Sequence, residues 1–455
     1  MDNSNIRATR GIRYATAARF AAPELLPYAP GSELGRAGSL CPQVPGMMEQ
    51  MLGQDLSQMN EDCLFLDVFA PEGAAPSSLP VLVWIHGGAY TNGSGSVPWY
   101  DGSRHAARGA VVVTINYRLG VFGYLGAGNW GTLDQICALQ WVQANISQFG
   151  GDAGNVTIFG ESAGGSAVVS LLAAPSARGL FHKAWSMSPS IRQLRSIDSA
   201  RTWERTFLET AGVASVEAAA ALSVEDLLAA QATVMAMPNQ NFDMFTPAAG
   251  GEGLPVDILG AAAANPLPWC VGTNRDENLL FDAFNPELSG ADEQKWTEHL
   301  TAKFGGAAET ARAAYEAARP GANPLTLISA VNTDHTFRRP AQALCEARNA
   351  HGNPSWMYWF TWGSPAFGGV LGSAHALDIP FAFDNLHTQG AEMLLGPVDA
   401  LQPIAARFAD EIHAFARTGA PTWTAFDTTS RPTLRIDAEV SEINDPEPEL
   451  RALHA

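Results

Sequence analysis

The chain carries few positive charges for its length. Its 455 residues include 27 lysines and arginines against 46 aspartates and glutamates, which gives a formal net charge of −19 at pH 7. Only three of the 27 cationic residues are lysines. Because nucleic acids and anionic membranes are bound through cationic side chains, this balance argues against either one as a partner.

Long apolar runs and clustered cysteines are also absent. The most continuous apolar runs, at 81–85 and 110–115, are far shorter than the roughly 18 residues of a membrane-spanning helix, so we expect no membrane span. The opening segment MDNSNIRATRG lacks the apolar stretch of a secretory signal, which favours the cytoplasm unless a signal has been removed. Five scattered cysteines form neither a disulfide scaffold nor a CxxC metal site.

Short apolar segments instead alternate with helical patterns along the chain. Candidate strands lie at 81–85, 110–117, 156–159, 184–187, 268–271 and 356–362, as a mostly parallel sheet covered on both faces requires. Helical spacing predicts a helix over 133–149. Ala-rich blocks around 195–240 and 290–350 predict helical insertions that form a cap, with a helix start at Ser223. We therefore predict an α/β fold, in a single domain over 1–455 with these two insertions.

The most informative pattern is a nucleophile elbow at 155–165, NVTIFGESAGG. A β-branched strand there meets a G-x-S-x-G turn and then a helix of small residues. Gly160 and Gly164 leave room where strand and helix approach, so Ser162 can occupy a strained turn with its hydroxyl exposed. The alternative is that Ser162 is an ordinary helix N-cap, but the flanking pattern favours a nucleophile.

Acyl transfer also needs donors for the negative oxygen of the tetrahedral intermediate. The strand at 81–85 runs into HGGAY at 86–90. The backbone N–H groups of Gly87 and Gly88 are candidate donors, with the N–H of Ala163 as the third. The alternative is that these glycines form only a turn after the strand. The nucleophile elbow elsewhere in the chain makes this alternative less favoured.

Several motifs together resemble the type-B carboxylesterases, a branch of the α/β-hydrolase fold that includes cholinesterases and bacterial para-nitrobenzyl esterases. They are EDCLFLDV at 61–68, HGGAY at 86–90, NYRLG at 116–120, and the stretch from Asp134-Gln135 to NVTIFGESAGG. The resemblance implies an α/β-hydrolase fold and hydrolysis of a small-molecule ester, with no metal or organic cofactor. It also relates Cys41 and Cys63 to a disulfide pair of secreted relatives, although reduced thiols are equally expected.

A general base and an orienting acid must complete the site. His375, in GSAHALDIPF at 372–381, follows a predicted strand and a glycine-rich loop and resembles the family's histidine motif, with His387 as the next candidate. The acid is expected on a loop between the serine and the histidine, where GTNRDEN at 272–278 follows another strand. The residues alone leave Asp276 and Glu277 open, and the resemblance selects Glu277.

These patterns predict a serine carboxylesterase that works through an acyl-enzyme, with Ser162, His375 and Glu277 as the catalytic triad. Amides, thioesters, carbamates or lactones are alternative substrates, because the oxyanion chemistry is shared and selectivity lies in the pocket. A non-catalytic binding protein on the same fold is a less favoured alternative. Neither the physiological ester nor the oligomeric state follows from these patterns.

Overall fold

A ten-stranded sheet forms the centre of the computed structural model, which describes residues 5–46, 53–238 and 243–454. The strands in the described ranges are β1 Ile6–Arg13, β2 Ala15–Thr16, β3 Glu24–Leu25, β4 Phe65–Pro71, β5 Leu79–Ile85, β6 Val111–Ile115, β7 Gly151–Glu161, β8 Lys183–Met187, β9 Arg195–Ser196, β10 Ala248–Ala249, β11 Trp269–Asn274, β12 Ser355–Phe360, β13 Pro432–Ile436 and β14 Ser441–Asn444. The main sheet has the order β1-β4-β6-β5-β7-β8-β11-β12-β13-β14.

This sheet is mostly parallel, as the sequence predicts. Every neighbouring pair from β6 through to β13 is parallel, and only the outer pairs β1·β4, β4·β6 and β13·β14 are antiparallel. All six predicted strands are confirmed, as β5, β6, β7, β8, β11 and β12. The outer strands β1 and β14 were not predicted, because both contain polar residues and form no continuous apolar run; β1 is only partly buried and β14 has no buried residue.

Helices connect these strands and cover the sheet. They are α1 Ser103–Ala107, α2 Gly120–Tyr124, α3 Trp130–Asn145, α4 Ala163–Ala173, α5 Ile197–Thr210, α6 Val216–Ala219, α7 Val224–Met235, α8 Ile258–Ala264, α9 Leu279–Asp282, α10 Glu293–Phe304, α11 Ala308–Ala318, α12 Pro324–Thr333, α13 Arg339–Ala350, α14 Ile379–Ala382, α15 Ala391–Leu395, α16 Gln402–Thr418 and α17 Pro448–Ala452. A π-helical turn, Asp334–Arg338, joins α12 to α13.

The predicted helix over 133–149 is confirmed as α3 and the 3-10 turn Ile146–Phe149 that follows it. The Ala-rich blocks contain α5 to α7 and α10 to α13. The predicted helix start at Ser223 is also confirmed, since its hydroxyl oxygen accepts a hydrogen bond from the backbone N–H of Asp226 at 3.0 Å.

Apolar side chains pack on both faces of the sheet. In β5, Val81, Val83 and Ile85 join one large apolar cluster, while Leu82 and Trp84 join a second cluster on the opposite face. Alternate residues of a strand point to opposite faces, so a continuous apolar run is buried on both sides. Full burial of each such side chain contributes about 1.5–3 kcal/mol.

The parallel strands bring distant segments of the chain together. The carboxyl ends of β5, β7, β11 and β12 lie at one edge of the sheet, because these strands all run in the same direction. The segments that follow these ends contain the candidate residues named above. No helix in the described ranges is long and apolar enough to cross a bilayer.

Candidate active site

Ser162 occupies the sharp turn between β7 and α4. Its backbone has φ 58° and ψ −121°, a left-handed conformation that is strained for a residue with a side chain. A Cβ atom at Gly164 would collide with the carbonyl oxygen of Ile85, so the turn requires glycine there. The Ser162 hydroxyl makes no capping hydrogen bond to α4, which argues against an ordinary N-cap. The predicted strand, turn and helix are therefore present.

The glycines after β5 lie against this turn. A Cβ atom added to Gly87 would be 3.1 Å from Cβ of Ser162, so the Gly87 backbone directly faces the serine. Gly88 has φ +105°, and a side chain there would collide with the backbone of Asn92. Within the described ranges, the N–H groups of Gly87, Gly88 and Ala163 donate no hydrogen bond to another residue. These three donors remain available to a substrate oxygen.

His375 and Glu277 meet through the loops that follow β12 and β11. Nδ1 of His375 lies 2.6 Å from Oε2 of Glu277, and both side chains are buried. The other carboxylate oxygen of Glu277 accepts a hydrogen bond from the backbone N–H of Asn274 at 2.7 Å. The Asn274 N–H therefore fixes one oxygen of the carboxylate, and the other oxygen orients the imidazole.

The two competing candidates lie in different surroundings. The carboxylate of Asp276 points to Ser373, whose N–H donates to Oδ2 at 3.0 Å. His387 is exposed and lies 3.3 Å from the exposed Glu392. The structure thus brings Glu277 to His375, and it places neither Asp276 nor His387 in this pair.

The free nitrogen of His375 faces the end of β7. Nε2 lies 3.1 Å from Oε1 of Glu161, the residue before Ser162, and it makes no hydrogen bond to the serine hydroxyl. Such bonds are often long without substrate and shorten in the reacting complex. Sequence reasoning missed Glu161 as a site residue. Its signal is an acidic residue at the end of an apolar buried strand, where a carboxylate needs a partner.

Burial and charge act in opposite directions on this imidazole. Burial favours its neutral form, but the carboxylates of Glu161 and Glu277 outweigh burial and raise the pKa of His375 to about 9. Burial in turn raises the pKa of Glu161 to about 8. The negative side chains around His375 therefore favour its protonated form, which a general base reaches when it takes a proton from serine.

Phenylalanine rings line the His375 side of the site. The ring centroid of Phe337 lies 4.8 Å from that of the imidazole, and the ring centroid of Phe281 lies 5.4 Å from it. Phe337 belongs to the π-helical turn, and Phe281 is 50% exposed. Two aromatic faces therefore border the space beside the imidazole, one of them open to solvent.

Cys41 and Cys63 are free buried thiols that hydrogen-bond to each other. The residues that the structure describes contain no group of three or more histidine, cysteine, aspartate or glutamate side chains arranged to hold a metal ion.

Comparisons with known proteins match most of this chain. A family model described as "Carboxylesterase family" matches residues 1–451. A para-nitrobenzyl esterase of Bacillus subtilis (strain 168) is 39% identical over 441 residues, covering 91% of this chain and 86% of that protein. A phenmedipham hydrolase of Pseudarthrobacter oxydans is 32% identical over 405 residues, covering 84% and 80% respectively. A solved Geobacillus stearothermophilus carboxylesterase matches with a TM-score of 0.85 at 33% identity, over 100% of this chain and 97% of that one. These matches confirm the α/β-hydrolase fold.

Proposed function

Because this chain belongs to the carboxylesterase family, we propose that Ser162, His375 and Glu277 form a catalytic triad that hydrolyses carboxylic esters of small molecules. The observation that carries the proposal is the 2.6 Å contact between His375 and Glu277 at the same sheet edge as the strained turn of Ser162. An imidazole oriented by a buried carboxylate is the arrangement that activates a serine hydroxyl.

In the first half of the reaction, Oγ of Ser162 attacks the ester carbonyl carbon while Nε2 of His375 takes the hydroxyl proton. Glu277 accepts the Nδ1–H hydrogen bond and stabilises the imidazolium that forms. The carbonyl oxygen becomes negative and receives hydrogen bonds from the N–H groups of Gly87, Gly88 and Ala163. Each such donor is worth about 3 kcal/mol of transition-state stabilisation.

In the second half, the tetrahedral intermediate collapses and the alcohol leaves with the proton held by His375. Ser162 then carries the acyl group. Water attacks this acyl-enzyme while His375 takes its proton, and the second tetrahedral intermediate releases the carboxylic acid and the free serine. These steps require no metal or organic cofactor.

The test of this mechanism is removal of the hydroxyl. Ser162→Ala should lower kcat/KM for a para-nitrophenyl ester by at least about 10⁴-fold, because the nucleophile is lost while binding and oxyanion donors remain. Ser170→Ala is the matched control, since Ser170 is buried two turns further along α4 and its hydroxyl has no hydrogen-bond partner. Full turnover by Ser162→Ala would overturn the proposal.

Ester selectivity is a separate part of the proposal. Initial rates on ester, amide and thioester substrates with the same acyl group should be highest for the ester. A higher kcat/KM for the amide or thioester would assign the same triad to that substrate class, because all of them share the oxyanion step.

A cytoplasmic location is also part of the proposal. It is supported by the unbonded thiols of Cys41 and Cys63, which touch in the protein interior, because adjacent thiols remain reduced in the cytosol. Mass spectrometry of alkylated protein should find both thiols free after purification without reductant. Nucleic acid is not proposed as a partner, in keeping with the net charge of −19.

A further inference from the structure

A second buried carboxylate, that of Asp276, lies next to Glu277 but outside the proposed triad. Only 5% of its side chain is exposed. Its backbone N–H donates to the carbonyl oxygen of Ser373 at 3.0 Å, and the Ser373 N–H donates back to Oδ2 of Asp276 at 3.0 Å. This pair of hydrogen bonds joins the turn after β11 to the loop that carries His375, one residue before Glu277 and two residues before His375.

The loop that Asp276 holds is rich in glycine. Gly363, Gly368, Gly369 and Gly372 precede His375, and the last three have positive φ. A Cβ atom at Gly372 would lie 2.6 Å from Oδ2 of Asp276, so the carboxylate packs directly on this backbone. Ser373 is fixed on its other side, because its hydroxyl donates to the carbonyl oxygen of Phe360 at 2.8 Å. Glycine-rich backbone has many accessible conformations, so these contacts determine where the loop lies.

Cations compensate for the buried charge of Asp276. Nε of Arg275 donates to Oδ2 at 3.0 Å, and Nε of Arg319 lies 3.6 Å from Oδ1. Arg319 is itself paired with Glu447, which also binds Arg338. A carboxylate that pairs with cations accepts strong, charge-assisted hydrogen bonds.

We propose that Asp276 is a positioning residue for His375. By accepting the N–H of Ser373, its carboxylate sets the position of the glycine-rich loop and therefore the distance from the imidazole to Ser162. Asp276 touches neither the imidazole nor the serine, so it acts through the loop alone. The proposal rests on the proposed function, because the positioned group is the base that serves Ser162.

Steady-state kinetics on a para-nitrophenyl ester test this role. Asp276→Ala removes the acceptor, and kcat should fall by about 10- to 100-fold with KM changed less than about twofold, because a displaced base slows chemistry rather than binding. Asp276→Asn keeps an acceptor oxygen for Ser373 and should restore kcat to within about fivefold of the wild-type value. This second variant also covers failure of the alanine variant to fold.

Asp67→Ala is the matched control. Asp67 is an equally buried aspartate that accepts the backbone N–H of Gly11 at 2.8 Å and pairs with Arg10 at 3.4 Å, and it lies in β4, which is separated from β11 and β12 by at least four strands of the sheet. Its loss should lower thermal stability and leave kcat per folded enzyme within about twofold.

Labelling of Ser162 by an organophosphate counts the active enzyme in every sample. If Asp276→Ala and Asp67→Ala lose kcat per labelled site equally, or if neither loses it, the positioning role is wrong. If the wild-type protein is not labelled at Ser162, the proposed function fails instead, so the two failures are distinguishable.

Discussion

Replacing Glu277 with glutamine tests the proposed triad most directly, because the change is nearly isosteric and removes one charge. The two oxygens of Glu277 each accept one hydrogen bond, from Nδ1–H of His375 at 2.6 Å and from the N–H of Asn274 at 2.7 Å. A glutamine side chain has only one oxygen to offer. The amide can therefore take two orientations. In the first, its NH₂ group faces the buried N–H of Asn274; in the second, its NH₂ group faces Nδ1 of His375.

The second outcome inactivates the base. If the amide NH₂ donates to Nδ1, the neutral imidazole carries its proton on Nε2 and can no longer accept one from Ser162. If the amide oxygen stays on Nδ1 instead, the base remains but its imidazolium loses the facing charge. At 2.6 Å and an effective dielectric constant of 20, that charge is worth about 6 kcal/mol, an upper bound of about 10⁴-fold in rate. We therefore expect kcat to fall by about 10²- to 10⁴-fold.

The assay is the burst of para-nitrophenol from an activated ester, which separates acylation of Ser162 from later turnover. Glu277→Asp is the control, because it keeps the charge and both oxygens on a shorter side chain and should lose less activity than Glu277→Gln. The reasoning would be refuted by a Glu277→Gln enzyme that acylates Ser162 within about tenfold of the wild-type rate, because no tautomer or charge effect of this size could then operate.

Three further predictions concern Gly87, Glu161 and His105. Gly87→Ala should lower kcat about 10²-fold with little change in KM, since the new Cβ lies 3.1 Å from that of Ser162 and moves an oxyanion donor; unchanged kinetics would contradict this assignment. Glu161→Gln should move the acid limb of the kcat/KM profile to lower pH by about one unit or more, because the carboxylate that favours protonated His375 is gone; a shift to higher pH would contradict it. His105→Gln should make unfolding less sensitive to acid. Burial lowers the pKa of His105 to about 3, so wild-type stability is retained above about pH 6.5 and lost below it, and urea unfolding at pH 7 and pH 5 should show the wild-type protein losing about 2 kcal/mol more than the variant.

The central strands were predictable because a strand that is buried on both faces appears in the sequence as a short continuous apolar run. The runs that became β5 and β6 are apolar at nearly every position. β4 was not predicted although it is largely buried, because Asp67 interrupts its apolar run. That carboxylate accepts the N–H of Gly11 at 2.8 Å and pairs with Arg10, partners that lie more than fifty residues away in the chain. A local pattern carries no information about partners at that distance.

In the candidate site, too, local features were predictable from the sequence and long-range contacts were not. The turn at Ser162 was predictable because it depends on neighbouring residues alone. The glycines on either side of the serine leave room for a strained turn between strand and helix. The choice between Asp276 and Glu277 depends on which carboxylate points toward a loop about 100 residues later, and the residues alone could not decide it. The contact of Phe337 with His375 was equally unpredictable, because the π-helical turn departs from the 3.6-residue spacing on which helical patterns rest.

The charges around His375 show why this arrangement suits catalysis better than stability. Three buried carboxylates, those of Glu161, Glu277 and Asp378, lie close enough to the imidazole to favour its protonated form. Burial, reinforced by the charge of Glu277, raises the pKa of Asp378 to about 7. Burial likewise raises the pKa of Glu161 to about 8, so the folded state disfavours the negative forms of both side chains. A transition state that places a positive charge on the imidazole relieves this repulsion, and the relief exists only while the proton is on His375. The negative environment therefore stabilises the transition state more than the neutral-imidazole enzyme from which serine attack starts, which is the condition for it to accelerate the chemical step.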